Sequence, residues 1–263
     1  MAKLHKMSQL SPLFIGRSRF QYTALDSTNA EACRLLPAHP PEGTLVLAIS
    51  QTAGKGQNGN VWYSKAGDNF SGSYILYPTF IPPEPVFILN QLTSVAVIRT
   101  LRALEPNLQF QIKWPNDIYC MGKKIAGILT ENQWHAGRLH SAVIGIGINI
   151  NNTSFPETLK DIACSLNTFT GKVIDIPRVA DTHSACLEPL YLQLRSGNKA
   201  VLQKEYLDAL YRYQEWAKYY LPQQPERIFE GMLIGVDAQG KMALQNRDNN
   251  VSYFDMKEIV YCP

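Results

Sequence analysis

Two lysines on either side of a short Pro-Asn-Asp turn are the residues of this sequence best suited to chemistry. Residues 113–119 read KWPNDIY, and after a gap of three the chain continues over 123–131 as KKIAGILTE. A lysine ammonium is a compact point charge that can follow negative charge as it develops on a phosphate or a carboxylate. Lys113 and Lys124, held on a rigid scaffold, therefore suit the chemistry of an acyl phosphate.

The elements around these lysines are predicted to form a hairpin. Pro115 fixes its own φ and favours extended geometry in the residue before it, while Asn116 and Asp117 have short side chains that bond to nearby backbone. The apolar stretches after this turn read as two strands joined at Gly122, the second one spanning 125–131. An ordinary hairpin with solvated lysines has the same spacing, so that alternative stays open on this segment alone.

A glycine-rich loop follows a second predicted strand. The apolar run 44–49 (TLVLAI) opens into 50–62, SQTAGKGQNGNVW. Its glycines satisfy G-x-G-x-x-G, but a dinucleotide-binding fingerprint requires a helix to open there. The residues that follow have no helical period, so this interpretation fails. What remains is a flexible loop in which Lys55, Gln57 and Asn58 can face an anion, or else a plain surface loop.

Two further motifs have both a structural and a ligand-binding interpretation. Residues 27–31 (STNAE) predict a helix N-terminus because Thr28 and Glu31 match the capping-box pattern. The free N–H groups of a helix N-terminus also suit a ligand. Residues 145–150 (GIGINI) alternate glycine with isoleucine in a strand. These glycines let another backbone, a large side chain or an adenine approach, and taken alone they favour packing.

Together these motifs resemble the biotin protein ligases, which attach biotin to a lysine of biotin-dependent carboxylases. The resemblance runs from about residue 20 to the C-terminus. Four segments carry it in order: 26–29 (DSTN), 51–62, 113–131 and 145–149 (GIGIN). The first and last are weak alone, whereas K-W-P-N-D with its trailing K-x-A-G-I-L is highly specific.

The resemblance implies a role for each matching residue. Lys124, Lys113 and Asp117 would be catalytic, and Asp117 would also hold Mg²⁺. The implied biotin-binding residues are Ser27, Thr28, Asn29, Gln51, Gly54, Lys55, Gly56, Gln57, Lys124 and Gly127. The implied ATP-binding residues are Lys55, Asn60, Trp62, Lys113, Asn116, Lys124 and Asn149.

The activity of the family implies a two-step reaction with ATP and Mg²⁺. A carboxylate does not acylate an amine at neutral pH, so biotin first attacks the α-phosphate of ATP, giving biotinyl-5′-AMP and pyrophosphate. The lysines and Mg²⁺ would stabilise the charge on phosphorus. A lysine of the biotin carboxyl carrier protein of acetyl-CoA carboxylase or a related carboxylase would then expel AMP, and no nucleophile of the enzyme is required.

The glycine loop departs from the family pattern G-R-G-R-x-G-R. Lys55, Gln57 and Asn60 stand where the arginines are usual, and lysine lacks the planar fork with which arginine grips phosphate. We therefore expect biotinyl-5′-AMP to dissociate faster from this protein than from relatives that have the arginines. A dissociation rate as slow as theirs, measured by stopped flow, would contradict this expectation.

Two other functions stay open. Lipoate ligases and octanoyltransferases share the fold, and octanoyl transfer would need a cysteine acceptor paired with a lysine, for which Cys120 is a candidate. The K-W-P-N-D segment favours biotin over that activity. A non-catalytic biotin-binding sensor is the alternative of another class, and two lysines aimed at a phosphate argue against it.

The fold class predicted is α/β (α+β), a mixed β-sheet flanked by helices. Helical spacing predicts helices over 85–104, 177–194 and 199–220, strands dominate 109–150, and 222–225 reads as a linker. The resemblance implies a class II aminoacyl-tRNA synthetase-like catalytic domain over 1–220, as in the biotin and lipoate ligases. It also implies that the polar segment 151–171 shapes the site, and that 221–263 form a small SH3-like β-barrel.

Composition predicts a compact cytoplasmic enzyme. The 263 residues carry a net charge of +3, too small and dispersed to indicate nucleic acid. The five cysteines form no C-x-x-C pair, so neither a zinc site nor a disulfide framework is indicated. Residues 1–19 read neither as a signal peptide nor as a DNA-binding domain, and no apolar run approaches the ~20 residues of a membrane helix. We expect no DNA or membrane role, and a homodimer stays open.

Overall fold

The computed structural model describes residues 12–82 and 86–262, and for Asn58 the backbone alone. The expectations for residues 1–11 and for a helix start at Pro85 lie outside the described residues. The strands of the larger sheet are β1 (Arg19–Leu25), β2 (Thr44–Gln51), β3 (Asn69–Leu76), β4 (Phe110–Lys113), β5 (Asp117–Cys120), β6 (Lys123–His135) and β7 (Arg138–Asn149). The helices are α1 (Thr28–Leu35), α2 (Ile88–Leu104), α3 (Leu166–Thr170), α4 (Ile176–Arg195) and α5 (Ala200–Asp208).

The larger sheet is mixed and flanked by helices, as predicted. Its strand order is β1-β2-β3-β7-β6-β5-β4. The β1–β2 pair is parallel, and the other neighbours are antiparallel. Helices α2 and α4 pack against each other and bury apolar side chains of the sheet in one core. Among the residues described, no helix combines the length and apolarity needed to cross a membrane.

A second, antiparallel sheet lies at the C-terminal end. Its strands are β8 (Trp216–Leu221), β9 (Gln224–Val236), β10 (Met242–Gln245), β11 (Val251–Phe254) and β12 (Val260–Tyr261). Their order is β11-β10-β9-β8-β12. This small sheet is consistent with the SH3-like fold that the resemblance implies, and the division of the chain into domains at residue 220 stays a prediction.

Two sequence predictions near this boundary are wrong. The helix predicted over 199–220 ends at Asp208, and its last residues form strand β8. Arg212 and Gln214 have positive φ angles of 60° and 57°, which break the helical path, and the aromatic residues after them favour a strand. In the linker predicted at 222–225, Pro222 and Gln223 form the hairpin turn between β8 and β9, and Gln224 and Pro225 begin β9.

A buried histidine makes the core sensitive to acid. His183 on α4 is fully buried, its Nδ1 lies 3.1 Å from the hydroxyl of Tyr74, and its ring stacks on Phe70 at a centroid distance of 5.9 Å. Burial lowers the pKa of His183 from 6.5 to about 3, because desolvation disfavours the charged ring.

We expect His183 to contribute stability that is present above pH 6.5, the ordinary pKa of the group, and is lost as the pH falls. Below that pH the unfolded chain binds a proton that the folded chain does not, so the free energy of unfolding decreases by up to about 1.4 kcal/mol per pH unit. Urea denaturation of His183→Phe from pH 7 to roughly pH 4 should lack this component. The exposed His39 gives the control His39→Phe, which should keep the wild-type slope; an unchanged slope in His183→Phe would contradict the assignment.

Candidate functional site

A cleft opens where the start of α1 and the glycine loop meet the middle of the larger sheet. Most of the predicted site residues line it. Its lining residues are Ser27, Thr28, Asn29, Gln51, Lys55, Gly56, Gln57, Trp62, Asn116, Lys124, Gly127, Ile128, Leu129, Gly145, Ile146 and Gly147. Of the predicted site residues, Gly54, Asn60, Lys113, Asp117 and Asn149 are not among them.

The start of α1 differs from the predicted capping box. Ser27, not Thr28, is the N-cap, and its side chain accepts the N–H of Ala30 at 3.5 Å. Glu31 instead accepts a hydrogen bond from the hydroxyl of Tyr22 at 2.9 Å. Thr28 is the first residue of α1 and lines the cleft, where its hydroxyl donates to Oε1 of Gln51 at 3.2 Å.

Lys124 is held in the cleft from three directions. Its Nζ lies 2.6 Å from Oδ1 of Asp117 and 5.6 Å from the ring of Trp62. Its backbone N–H donates to the carbonyl of Ile162 at 2.8 Å, and its carbonyl accepts the N–H of Cys164 at 2.9 Å. The polar segment 151–171 therefore supports this lysine directly, a contact that no sequence spacing indicated.

Asn116 locks the turn before β5 onto β6. Its Nδ2 donates to the carbonyl of Ile128 at 2.7 Å, and its own carbonyl accepts the N–H of Ile128 at 3.1 Å. These two bonds fix the turn that carries Asp117. A rigid turn keeps the Asp117–Lys124 pair in place, as the sequence predicted for the Pro-Asn-Asp segment.

Lys113 is not among the residues that line the cleft. It pairs with Asp117 across β4 and β5, and its Nζ donates to the hydroxyl of Tyr119 at 2.9 Å. The ring of Tyr261, from the second sheet, lies 5.4 Å away from the same ammonium. Burial lowers the pKa of Lys113, and the carboxylate of Asp117 opposes this shift. The two lysines thus share Asp117 as a neighbour, and contact of Lys113 with ATP stays a prediction.

The glycine loop closes on itself and carries Trp62 into the cleft. The N–H of Trp62 donates to the carbonyl of Gly54 at 2.9 Å, and the N–H of Gly56 to that of Asn60 at 2.7 Å. A short 3₁₀ turn over Gln57–Gly59 stands where a dinucleotide-binding fold needs an α-helix, so the rejection of that fold is confirmed.

The indole of Trp62 lies against strand glycines. A Cβ on Gly147 would lie 2.3 Å from the indole, and one on Gly127 would lie 3.0 Å from it. Gly145 makes similar room for Asn29. The G-x-G pattern in β7 therefore admits large side chains, as the packing interpretation predicted.

Asn60 and Asn149 are not among the residues that line the cleft. Asn60 is exposed, whereas Asn149 is buried at the end of β7 and its Oδ1 has no hydrogen-bond partner among the described residues. Five further lining residues were not among the predicted site residues, although the sequence analysis considered the glycines of 145–150 for packing or for ligand approach. They are Ile128, Leu129, Gly145, Ile146 and Gly147.

The chemistry of the donors limits what the site can hold. Within the described ranges, no group of three or more His, Cys, Asp or Glu side chains is placed to hold a metal ion. The single carboxylate of Asp117 would fit a Mg²⁺ ion held partly by phosphates, because Mg²⁺ keeps several waters and needs one or two carboxylates besides the phosphates. Cys120 is buried, and burial raises the pKa of its thiol to about 11, which keeps it protonated and unsuited to accept an acyl group.

Comparison with known proteins identifies similar sequences. The model of the Biotin/lipoate A/B protein ligase family matches residues 23–149. The bifunctional ligase/repressor BirA of Bacillus subtilis is 42% identical over 179 residues, which cover 67% of this chain and 54% of that protein. The biotin--[acetyl-CoA-carboxylase] ligase of Paracoccus denitrificans is 38% identical over 129 residues, 48% of this chain and 51% of that protein. The chain spans about half the length of these relatives.

A solved structure shares the fold. The biotin protein ligase of Aquifex aeolicus in complex with biotin and ATP superposes with a TM-score of 0.76 at 24% identity, covering 94% of this chain and 99% of that one. The match extends over both sheets described above. At this identity it shows the fold alone.

Proposed function

We propose that the protein is a biotin protein ligase, and the match of residues 23–149 to the model of the Biotin/lipoate A/B protein ligase family supports this. It uses ATP to convert biotin to biotinyl-5′-AMP and then transfers the biotinyl group to a lysine of a carrier domain. Two of its relatives carry biotin ligase or ligase/repressor names, which supports the proposal.

One observation carries the proposal, namely the position of Lys124. Its ammonium lies in a cleft whose opposite wall is the start of α1, next to the indole of Trp62 and the carboxylate of Asp117. A fixed ammonium at that place stabilises negative charge on a phosphoryl group without reorganising during the reaction. The adenylation step needs such stabilisation, because biotin carboxylate attacks the already anionic α-phosphate.

The remaining residues bind and orient. Ser27 and Thr28 contact the ureido ring of biotin, and Trp62 and Lys55 cover the adenylate. Asp117 is our assignment for Mg²⁺, which supplies charge neutralisation on the phosphates when bound. Once biotinyl-5′-AMP has formed, the amine of the carrier lysine attacks it and displaces AMP. The site accelerates this second step by holding the amine and the mixed anhydride in line.

The relatives and the cysteine content support a proposal for the carrier and for the compartment. We propose the biotin carboxyl carrier protein of acetyl-CoA carboxylase as the acceptor, since the relative from Paracoccus denitrificans is named for that enzyme. A cytoplasmic location agrees with five free cysteines, which suit a reducing environment.

Pyrophosphate release tests the proposal against its alternatives. The purified protein is mixed with ATP and either biotin or lipoate, without a carrier. Release with biotin alone supports the ligase. Release with lipoate alone would identify a lipoate ligase, and binding of biotin without any pyrophosphate would identify a sensor.

A further inference from the structure

Three of the four histidines in the described part of the chain form one cluster on the surface. The rings of His39 and His140 lie 6.4 Å apart, and those of His135 and His140 lie 6.3 Å apart. All three side chains are exposed, and none of them lines the cleft. The reaction proposed above therefore makes no use of this cluster.

The end of the β6–β7 hairpin fixes the position of the first ring. His135 pairs with Arg138 across a two-residue turn, in which Ala136 and Gly137 have positive φ angles of 48° and 73°. Positive φ at both central residues is the type I′ geometry, which matches the twist of a hairpin. The turn therefore holds the backbone of His135 in a regular, short hairpin.

A β-bulge fixes the position of the second ring. Ser141 pairs with Gln133, and Leu139 pairs with the next residue of β6, so the register passes over His140. The extra residue of a bulge is left out of the pairing, and its side chain is re-aimed. The ring of His140 lies beside that of His135 at an interplanar angle of 61°. The bulge thus brings together two imidazoles from adjacent strands.

The ring nitrogens of both residues are available to a ligand. No hydrogen bond or ion pair with another described residue engages the imidazole of His135 or His140. Because the two side chains are exposed, their rings can turn between staggered rotamers without a clash in the core. Imidazole is the commonest metal ligand that proteins use, so a metal ion is the ligand that this pair suits.

The separation of the two rings matches a shared metal ion. With metal–nitrogen bonds of about 2.0–2.1 Å, two imidazoles on one ion have their centroids about 4.5–6.4 Å apart, depending on the angle at the metal. The observed 6.3 Å lies within this range. Rotation of the exposed rings therefore suffices to direct one nitrogen of each towards a common ion.

His39 belongs to a different element and stands apart from this pair. It follows the 3₁₀ turn Leu36–Ala38, and its ring meets that of His140 edge-on, at 87°. Within the described ranges, no three His, Cys, Asp or Glu side chains are placed to hold one ion. The geometry therefore favours two protein ligands from the hairpin alone.

We propose that His135 and His140 bind one divalent transition-metal ion, with water in its remaining positions. Imidazole suits Cu²⁺, Ni²⁺ and Zn²⁺, and Cu²⁺ binds most tightly of the three. Mg²⁺ prefers oxygen ligands and does not compete. The ion ties β6 to β7 at the end of the hairpin, and the site is independent of the proposed function.

The test titrates the untagged, metal-free protein with Ni²⁺ by calorimetry, in excess Mg²⁺ to fill any oxygen site. His135→Ala and His140→Ala remove one ligand each, and His39→Ala is the matched control. The cysteines and the cleft are the same in every variant, so their contribution cancels. Electron paramagnetic resonance of the Cu²⁺ complex reports the coordinated nitrogens, and the Tm is measured with and without Ni²⁺.

We expect His135→Ala and His140→Ala each to weaken Ni²⁺ binding at least about tenfold, since even the loss of an outer-shell partner costs about 10–100-fold. The nitrogen hyperfine lines of Cu²⁺ should be reduced in both, and Ni²⁺ should raise the Tm of the wild type alone among these three proteins. His39→Ala should bind like the wild type. Arg138→Ala removes the cation opposite His135 and should strengthen binding about two- to fivefold.

Three results would overturn the inference. In the first, His140→Ala binds Ni²⁺ as tightly as the wild type. In the second, His39→Ala loses as much affinity as His135→Ala, which would show that the hairpin pair is not the site. In the third, Arg138→Ala binds the ion more weakly than the wild type. None of these results bears on pyrophosphate release with biotin and ATP, so the proposed function is tested separately.

Discussion

Replacing Lys124 by Ala is expected to slow the formation of biotinyl-5′-AMP by about 10²–10³-fold, the usual cost of removing one preorganised group that stabilises transition-state charge. The ammonium lies in the cleft beside Asp117. Among the described residues, Lys55 is the one other lysine that lines the cleft and could take its place. Pyrophosphate release with biotin and ATP measures the effect.

The fold should survive this substitution. The Lys124–Asp117 pair is partly exposed, with 33% and 25% of the two side chains accessible, and pairs of that kind contribute about 0–1 kcal/mol to stability. Lys123→Ala is the matched control, since its Nζ donates to the carbonyl of Lys160 and it does not line the cleft. Equal rates in the two variants would refute the role of Lys124.

Gly147→Ala is expected to displace Trp62 and impair the site. The new methyl group would lie 2.3 Å from the indole, closer than van der Waals contact allows, and overpacking of this kind costs about 1–3 kcal/mol. Since Trp62 also approaches Lys124, its displacement should slow adenylation by on the order of 10²-fold, the effect of misplacing a positioning group by about 1 Å.

Gly235→Ala is the control for Gly147→Ala. Gly235 lies in strand β9, and a Cβ there meets no atom within 4 Å. Thermal unfolding and adenylation rates are compared in the wild-type and Trp62→Ala backgrounds. In Trp62→Ala the added methyl should cost little stability, because the clash is gone. A Gly147→Ala protein that behaves like Gly235→Ala in both backgrounds would show that Trp62 does not occupy this place.

The larger elements were predictable because their signals are local. The apolar period of 85–104 and the turn signals at Pro115 and Gly122 predicted α2 and the β5–β6 hairpin. The stretch 211–220 misled, because its aromatic residues fit a helical spacing as well as a strand. The bonds that decide between the two come from β9, which lies later in the chain.

The site was predictable as a set of residues more than as a geometry. The motifs brought together in the cleft include Thr28, Gln51, Trp62 and Lys124. The spacing of 113–124 suggested two equivalent lysines, yet Lys113 does not line the cleft and its ammonium lies beside the rings of Tyr119 and Tyr261. Contacts across the sheet, such as that between Ser73 and Asn29, leave no trace in local sequence because the partners are 44 residues apart.

Mass spectrometry of a biotin carboxyl carrier domain tests the central claim most directly. The domain is incubated with the protein, Mg²⁺, ATP and either biotin or lipoate, and its mass is compared with that in a reaction containing Lys124→Ala. We predict one biotinyl group on one lysine with the wild type, no lipoyl group, and no modification by the variant over the same period. A lipoylated or unmodified carrier with the wild type, or full biotinylation by Lys124→Ala, would contradict the account.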